Sequence, residues 1–182
     1  MQIEARLEAL GLVLPEAAKL PPNIKPSFSW VRIRGNRAYI SGHGPQHPDG
    51  SITGPFGKVG VDVSPDDAYQ AARLAALAVL GSLKRALGDL DRVTAWLMVH
   101  GMVNAIPGSS ASTNAINGFS DLILELYGPE IGEHARTAVG MAALPLNLPV
   151  IVAAEVEIAE ATEIIGATEP ISEEEAILEV EG

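Results

Sequence analysis

The sequence contains no cysteine. Disulfide bonds, thiolate metal sites and a cysteine nucleophile are therefore excluded. The absence of cysteine is compatible with a reducing compartment, and we expect a cytoplasmic protein. Aromatic residues make up only 4% of the chain, so alanine, valine, leucine and isoleucine must fill most of its core.

Long apolar runs are also missing, because none approaches the roughly 20 residues that a membrane-spanning helix needs. The segment from Met1 to Arg6 is charged and amphipathic and lacks the apolar core of a signal peptide. We therefore expect a soluble, unexported protein without a membrane partner.

Basic residues are scarce, since 12 lysines and arginines stand against 23 aspartates and glutamates, for a net charge of −11. Eight of the acidic residues lie between Glu160 and Gly182, a stretch without a basic residue. The near-neutral remainder carries no basic stripe, which predicts that the protein has no nucleic-acid partner. The chain of 182 residues thus divides into one domain, residues 1–159, and an acidic C-terminal extension, residues 160–182.

Apolar spacing and turn signals predict an N-terminal helix over residues 2–11, followed by the order β-β-α-β-α-β-β. Gly35-Asn36 separates two alternating runs and predicts a hairpin over residues 31–41. The glycine- and proline-rich stretch 42–60 predicts a long loop. Helices are predicted over residues 64–87, with Ser64 as the cap and Gly88 as the stop, and over residues 112–127, stopped by Gly128-Pro129. The remaining strands are predicted over residues 92–103, 137–142 and 150–158.

The central strand, residues 92–103, is apolar on both faces. Strict alternation places Val93, Ala95, Leu97 and Val99 on one face and Trp96, Met98 and Met102 on the other. Two helices cover only one face of such a sheet, so the other face would be exposed in a monomer. The sequence therefore predicts a homo-oligomer.

Arg136 is the first candidate functional residue, because it opens an apolar strand and stays charged in any setting. A carboxylate ligand bound in bidentate fashion would match its guanidinium. The alternative is an ion pair with a nearby Asp or Glu of the chain, which is the commoner arrangement.

The histidines allow several interpretations. His43 lies in the predicted loop and is a candidate general base near neutral pH, the alternative being an exposed loop histidine without a catalytic role. His43, His47 and Asp49 lack the spacing of a metal site, so we predict none. We expect His100 to be a satisfied core histidine, and His134 either to line the candidate pocket or to cap a loop.

Other polar residues give weaker signals. Ser41 lacks both a nucleophile elbow and an identifiable base, so a nucleophilic role is disfavoured. Asn114 and Asn117 begin the second long helix, where asparagine is most often a cap, and a role for one of them in the site is the alternative. The glycine-rich segment 54–60 lacks the Gly-Lys-Ser/Thr ending of a phosphate loop.

Two segments carry a resemblance to a known family. The segment after the hairpin reads Tyr39-Ile40-Ser41-Gly42-His43-Gly44-Pro45, and a later one reads Ala135-Arg136-Thr137-Ala138-Val139 followed by Ala143-Leu144-Pro145. They resemble the hydrophobic-Ser-Gly-Gln-x-Pro segment and the C-terminal signature of the RidA/YjgF imine-deaminase superfamily. The resemblance extends over about residues 28–159, and the N-terminal helix and residues 114–118 are typical of a longer branch.

The resemblance implies a chorismate-mutase-like α+β fold, with two helices on one face of the sheet, assembled as a homotrimer with its sites between subunits. It implies that Arg136 binds the substrate carboxylate opposite Ser41, Gly42 and His43. We also expect Phe28, Ala138 and Asn117 to contribute to substrate binding. The implied reaction converts enamines and imines such as 2-aminoacrylate and its imine into 2-keto acids and ammonia, without a cofactor.

Three positions differ from the family pattern. Ile151 stands where family deaminases carry a Glu that positions water, Phe28 replaces a frequent Tyr, and His43 replaces a Gln. The loss of the acid favours an alternative function, a trimer that binds carboxylates without turnover. A ribonuclease is the third hypothesis, and the acidic charge balance opposes it.

Overall fold

The computed structural model describes residues 2–159, which form an α+β fold with a five-stranded sheet. The elements are α1 Gln2–Ala9, β1 Val31–Arg34, β2 Arg37–His43, α2 Pro65–Leu87, β3 Val93–Asn104, α3 Ser112–Gly132, β4 Ala135–Met141 and β5 Val150–Ile158. The predicted order is confirmed. The predicted extension 160–182 lies outside the described residues.

The strands lie in the order β1-β2-β5-β3-β4. All neighbours are antiparallel except β3 and β4, which are parallel and are connected through α3. β1 and β4 are therefore the two edge strands of the sheet within the described chain. None of the helices between residues 2 and 159 combines the length and apolarity that crossing a lipid bilayer requires.

Local sequence explains the bounds of α2. The Ser64 hydroxyl accepts a 3.0 Å hydrogen bond from the Asp67 backbone N–H, and Pro65 occupies the first helical position. Gly88 ends the helix in the left-handed region, at φ 78°, and its N–H donates to the Lys84 carbonyl. The hydroxyl cap and the glycine stop were both predicted from sequence.

The helix α3 differs from its predicted span. Gly128 has the predicted non-helical conformation, with φ 73°, but a further turn beginning at Pro129 extends the element to Gly132. Earlier in the helix, Gly118 packs directly on the backbone carbonyl of Tyr69 in α2, where a Cβ atom would not fit. The two helices can therefore approach closely and lie side by side on the sheet.

The core lies between the helices and one face of the sheet. Trp96 is 2% exposed and packs edge-to-face on Phe119 and Tyr127 of α3, with ring centroids 5.8 and 5.9 Å away. Strict alternation along β3 is therefore wrong, because register shifts near Val93 and Met98 turn Trp96 toward the helices. Each shift inserts an extra residue, which a period of two does not anticipate.

The other face of the sheet, which we call the open face, carries no helix in the described part of the chain. Tyr39, Val139 and Met141 are 43%, 47% and 36% exposed there, and Met102 and Ile151 are partly buried beside them. This uncovered apolar surface agrees with the predicted exposure of one sheet face in a single subunit.

Candidate functional site

Arg136 lies on edge strand β4, and its side chain turns toward α3. Its Nη1 donates a 2.9 Å hydrogen bond to the Ser120 hydroxyl, and its Nη2 contacts the Thr113 carbonyl at 3.4 Å. No Asp or Glu within residues 2–159 lies within ion-pair distance of this guanidinium. The alternative prediction of a local ion pair is therefore wrong for the described chain, in which the guanidinium has no acidic partner.

Ser120 connects Arg136 to His134. The Nδ1–H of His134 donates to the Gly132 carbonyl at 2.7 Å, so its Nε2 accepts from the Ser120 hydroxyl at 2.9 Å. Burial lowers the pKa of His134, and the charge of Arg136 lowers it further, against the opposing effect of the bond to Gly132. A neutral His134 therefore orients Ser120, whose oxygen faces the guanidinium.

Two other predicted site residues lie near Arg136. Ala138 is two residues along β4 and partly buried on the same side. Asn117 is partly buried on α3, four residues after Thr113 and three before Ser120, and therefore shares their helix face. Contact of either residue with a ligand stays a prediction.

A cavity of about 680 Å³ lies at the other end of the sheet, beside the hairpin of β1 and β2. Its lining consists of Pro26, Ser27, Phe28, Ser29, Arg32, Tyr39, Ile40 and Ser41. The Ser41 hydroxyl donates to the Ser29 carbonyl at 2.8 Å, and the ring of Phe28 is 55% exposed. The structure thus brings the predicted residues Phe28 and Ser41 together in one cavity.

Gly42 lies next to Ser41 in a bulge of β2, where the register shifts between Ile40 and His43. A Cβ atom at Gly42 would lie 2.6 Å from Cγ2 of Ile151, so only glycine leaves room for this isoleucine. The position where family deaminases carry a glutamate therefore presents an apolar side chain directly beside Gly42.

Neither later acid of β5 replaces that glutamate. Glu155 forms an ion pair with Arg37 at 2.8 Å, and Glu157 accepts a 2.8 Å hydrogen bond from the Thr94 hydroxyl. Both carboxylates are already engaged within the chain, on the open face. The described residues therefore contain no free carboxylate beside Gly42.

The two groups of predicted residues are separated within one chain. Two strands, β5 and β3, lie between β2 and β4, which corresponds to about 14 Å at normal strand spacing. Arg136 faces the helices, whereas Tyr39 at the cavity faces the open side. A small ligand cannot contact Arg136 and the Phe28 cavity of the same chain.

These features can now be compared with known proteins. The chain matches over residues 4–158 the family model described as "YjgF/chorismate_mutase-like, putative endoribonuclease". The chain belongs to the RidA/YjgF superfamily. Its fold is accordingly chorismate-mutase-like, as the resemblance implied.

Three known proteins are similar to the chain over most of its length. Protein TCP17 of Trypanosoma cruzi is 38% identical over 157 residues, covering 86% of this chain and 94% of its own. Atu1372 of Agrobacterium tumefaciens, a protein of unknown function, is 39% identical with a TM-score of 0.75, covering 86% and 92%. A "putative endoribonuclease" of Shewanella oneidensis MR-1 is 32% identical with a TM-score of 0.76, covering 87% and 100%.

His43 departs from the superfamily pattern, and its place in the structure also differs from the prediction. The predicted loop position is wrong, because His43 ends β2 and is 1% exposed, while a role as a general base stays a prediction. Its Nδ1–H donates to the Ser41 carbonyl at 2.6 Å, and its Nε2 accepts from the Ser82 hydroxyl at 2.8 Å. Burial lowers its pKa to about 4, so it is neutral near pH 7. It is not among the residues that line the cavity.

His100 also differs from its prediction. Instead of lying in the core, it is exposed on the open face, where its Nδ1 is 3.1 Å from the Thr137 hydroxyl. The sequence did not predict two polar residues of the candidate site, Ser120 beside Arg136 and Arg32 in the cavity lining. The alternation of Arg32 with Val31 and Ile33 was an available signal, whereas nothing in the sequence of α3 marks Ser120 as a partner of Arg136.

The described residues include one acidic cluster, formed by Glu4, Asp89 and Asp91. The Lys84 ammonium binds Glu4 at 2.7 Å, and the Asp91 carboxylate accepts hydrogen bonds from the first backbone N–H groups of α1. These contacts attach α1 to the domain and account for the cluster.

Proposed function

We propose that the protein hydrolyses carboxylate-bearing imines and enamines to 2-keto acids and ammonia, in a homotrimer whose sites lie between subunits. The observation that carries this proposal is Arg136, a guanidinium held by Ser120 and a backbone carbonyl and left without an acidic partner in the described chain. An unpaired, oriented guanidinium is suited to binding a carboxylate.

The separation of Arg136 from the Phe28 cavity supports the shared site. Each chain offers an arginine near one edge of its sheet and a cavity near the other, together with an uncovered apolar open face. If three chains pack around their open faces, the arginine of one subunit can meet the cavity of the next, which completes three equivalent sites.

The proposed reaction needs few catalytic groups from the protein. Water adds to the electrophilic imine carbon, a proton moves from the added oxygen to nitrogen, and the C–N bond breaks to give the keto acid and ammonia. An enamine first takes a proton on carbon to become the imine. Arg136 holds the carboxylate, and the cavity fixes the imine carbon against water. Because Ile151 presents no acid beside Gly42, we propose that solvent transfers the proton.

The direct test uses imines generated in situ from amino acids by an amino-acid oxidase. The wild type is expected to accelerate keto acid formation, and Arg136→Ala to reduce kcat/KM by about a hundredfold through loss of a bidentate ion pair. Ser120→Ala is expected to raise KM several-fold with less effect on kcat, because Arg136 remains but is less well oriented.

The matched control for this test is Arg73→Ala, which removes an arginine of the helix layer that pairs with Glu125. It should retain wild-type rates. A folded wild type that hydrolyses no imine of several side-chain types would contradict the proposed activity.

Ile151 favours one alternative, a trimer that binds carboxylates without turnover, since no acid stands beside Gly42. Calorimetry with 2-keto acids distinguishes it, because a pure binder would bind them through Arg136 while leaving imines intact. The ribonuclease hypothesis is disfavoured by the net charge of −11 and predicts salt-sensitive RNA binding.

A further inference from the structure

Arg32 is a second cationic group at the candidate site. It lies on β1 directly opposite Tyr39 of β2, and both side chains line the 680 Å³ cavity together with Phe28 and Ser41. The alternation of the hairpin explains this placement, because neighbouring Ile33 pairs with the buried Ala38 on the other side. The cavity therefore contains a guanidinium of its own, besides any group that a second subunit brings.

The charge of Arg32 is not used by the described chain. No hydrogen bond or ion pair from its side chain to residues 2–159 is present, whereas Arg37 of the same hairpin is bound to Glu155 at 2.8 Å. The polar residues Ser27, Ser29 and Tyr39 line the same space. The cavity thus combines a free guanidinium with neutral polar groups, which is a suitable environment for an anion.

We propose that this cavity binds the side-chain anion of the substrate, so that the preferred substrates are imines of acidic amino acids. The inference rests on the proposed function, in which Arg136 of the adjoining subunit holds the carboxylate next to the imine carbon. Arg32 then pairs with the distal carboxylate, and the rings of Phe28 and Tyr39 contact the methylene groups between the two acids.

The overall charge of the chain opposes the binding of dianions. The chain carries a net charge of −11, so its overall field repels a dianion more than a monoanion. A preference for the dianion must therefore come from a local cation. The apolar side chain of a monoanionic substrate would instead displace water from the Arg32 guanidinium without forming an ion pair with it. This uncompensated loss of hydration weakens binding.

The test measures binding of two stable keto acid products by calorimetry, 2-oxoglutarate as the dianion and 2-oxobutyrate as the monoanion, at constant ionic strength. The wild type should bind 2-oxoglutarate at least about tenfold more tightly. Arg32→Gln should abolish that preference and change 2-oxobutyrate binding less than about twofold, whereas Arg32→Lys should retain part of it.

Arg34→Gln is the matched control, because Arg34 lies on the same strand and the same side, outside the cavity lining. Arg34→Gln should leave the affinities for both keto acids unchanged, whereas Arg136→Gln should lower both affinities. Equal wild-type affinities that depend on Arg136 would overturn the inference and leave the proposed function standing. An equal loss of preference in Arg32→Gln and Arg34→Gln would also overturn the inference, and no binding of either acid would overturn both proposals.

Discussion

At the scale of single residues, a buried polar group is best understood from its partners. His43 and His134 have the same arrangement, in which Nδ1–H donates to a backbone carbonyl and Nε2 accepts from a serine hydroxyl. An arginine donates to each serine, Arg85 in the first case and Arg136 in the second. The first network lies in the core and stabilises the fold, whereas the second ends at an arginine without an acidic partner.

The His43 network predicts a pH dependence of stability. The pKa of His43 is about 4 in the folded protein and 6.5 in an unpaired histidine, so the unfolded chain binds more protons between these values. Its contribution is complete above pH 6.5 and is lost as the pH falls toward 4. We expect the free energy of unfolding to decrease by about 2 kcal/mol between pH 7.5 and pH 5, on the order of the linkage for such a shift.

Denaturant unfolding at fixed protein concentration measures this dependence, with His43→Gln as the control. Glutamine also offers a donor and an acceptor but does not titrate, so its decrease should be smaller by about 2 kcal/mol. His134 has a pKa lowered by burial and contributes in the same direction in both proteins. Identical pH profiles for the two proteins would show that His43 is not the responsible group.

At the scale of elements, the sequence predicts what depends on local signals. The hairpin at Gly35, the cap at Ser64 and the stop at Gly88 are local, because each follows from a few neighbouring residues. The bulges of β2 and β3 are not, because they depend on how each strand pairs with β5. Because of these register shifts, His43 and Trp96 occupy buried positions that simple alternation along each strand does not give them.

The same limit applies to the candidate site. Arg136 was identified as a charged residue that opens an apolar strand, and Phe28, Ser41 and Gly42 through the resemblance to a superfamily. Ser120, by contrast, is brought to Arg136 by the packing of α3 beside β4, and no pattern within the helix marks it as a partner. Contacts between side chains of elements that are distant in sequence can be identified only from the tertiary structure.

The packing of α3 on α2 makes a prediction about Gly118. A methyl group there would collide with the Tyr69 carbonyl, a backbone atom that moves only with the helix. Although alanine is the better helix former by about 1 kcal/mol, overpacking costs about 1–3 kcal/mol. We expect Gly118→Ala to lower the free energy of unfolding, whereas Asn114→Ala, on the exposed surface of α3, should change it by less than about 0.5 kcal/mol. An unchanged or increased stability of Gly118→Ala in thermal and denaturant unfolding would contradict the close helix contact.

At the scale of the whole molecule, the proposed division of the site between subunits would account for the uncovered face of the sheet. The open face lacks a helix layer in the described chain, and its exposed residues Tyr39, Val139 and Met141 are apolar or aromatic. Burying this face against other copies removes apolar surface from water and also joins the two halves of the proposed site. Assembly of the subunits would then stabilise the protein and complete the proposed site in one step.

The most direct test of the shared site is complementation between two inactive variants. Arg136→Ala removes the arginine, and Phe28→Glu places a negative charge in the cavity, at a side chain exposed enough to tolerate it. Each variant alone should be inactive toward imines. Co-expressed with different tags and purified as mixed trimers, they should recover about a third of wild-type activity, since every mixed trimer pairs an intact arginine with an intact cavity at one of its three sites. Mixed trimers that remain inactive, while each variant is folded and the wild type is active, would contradict a site built from two subunits.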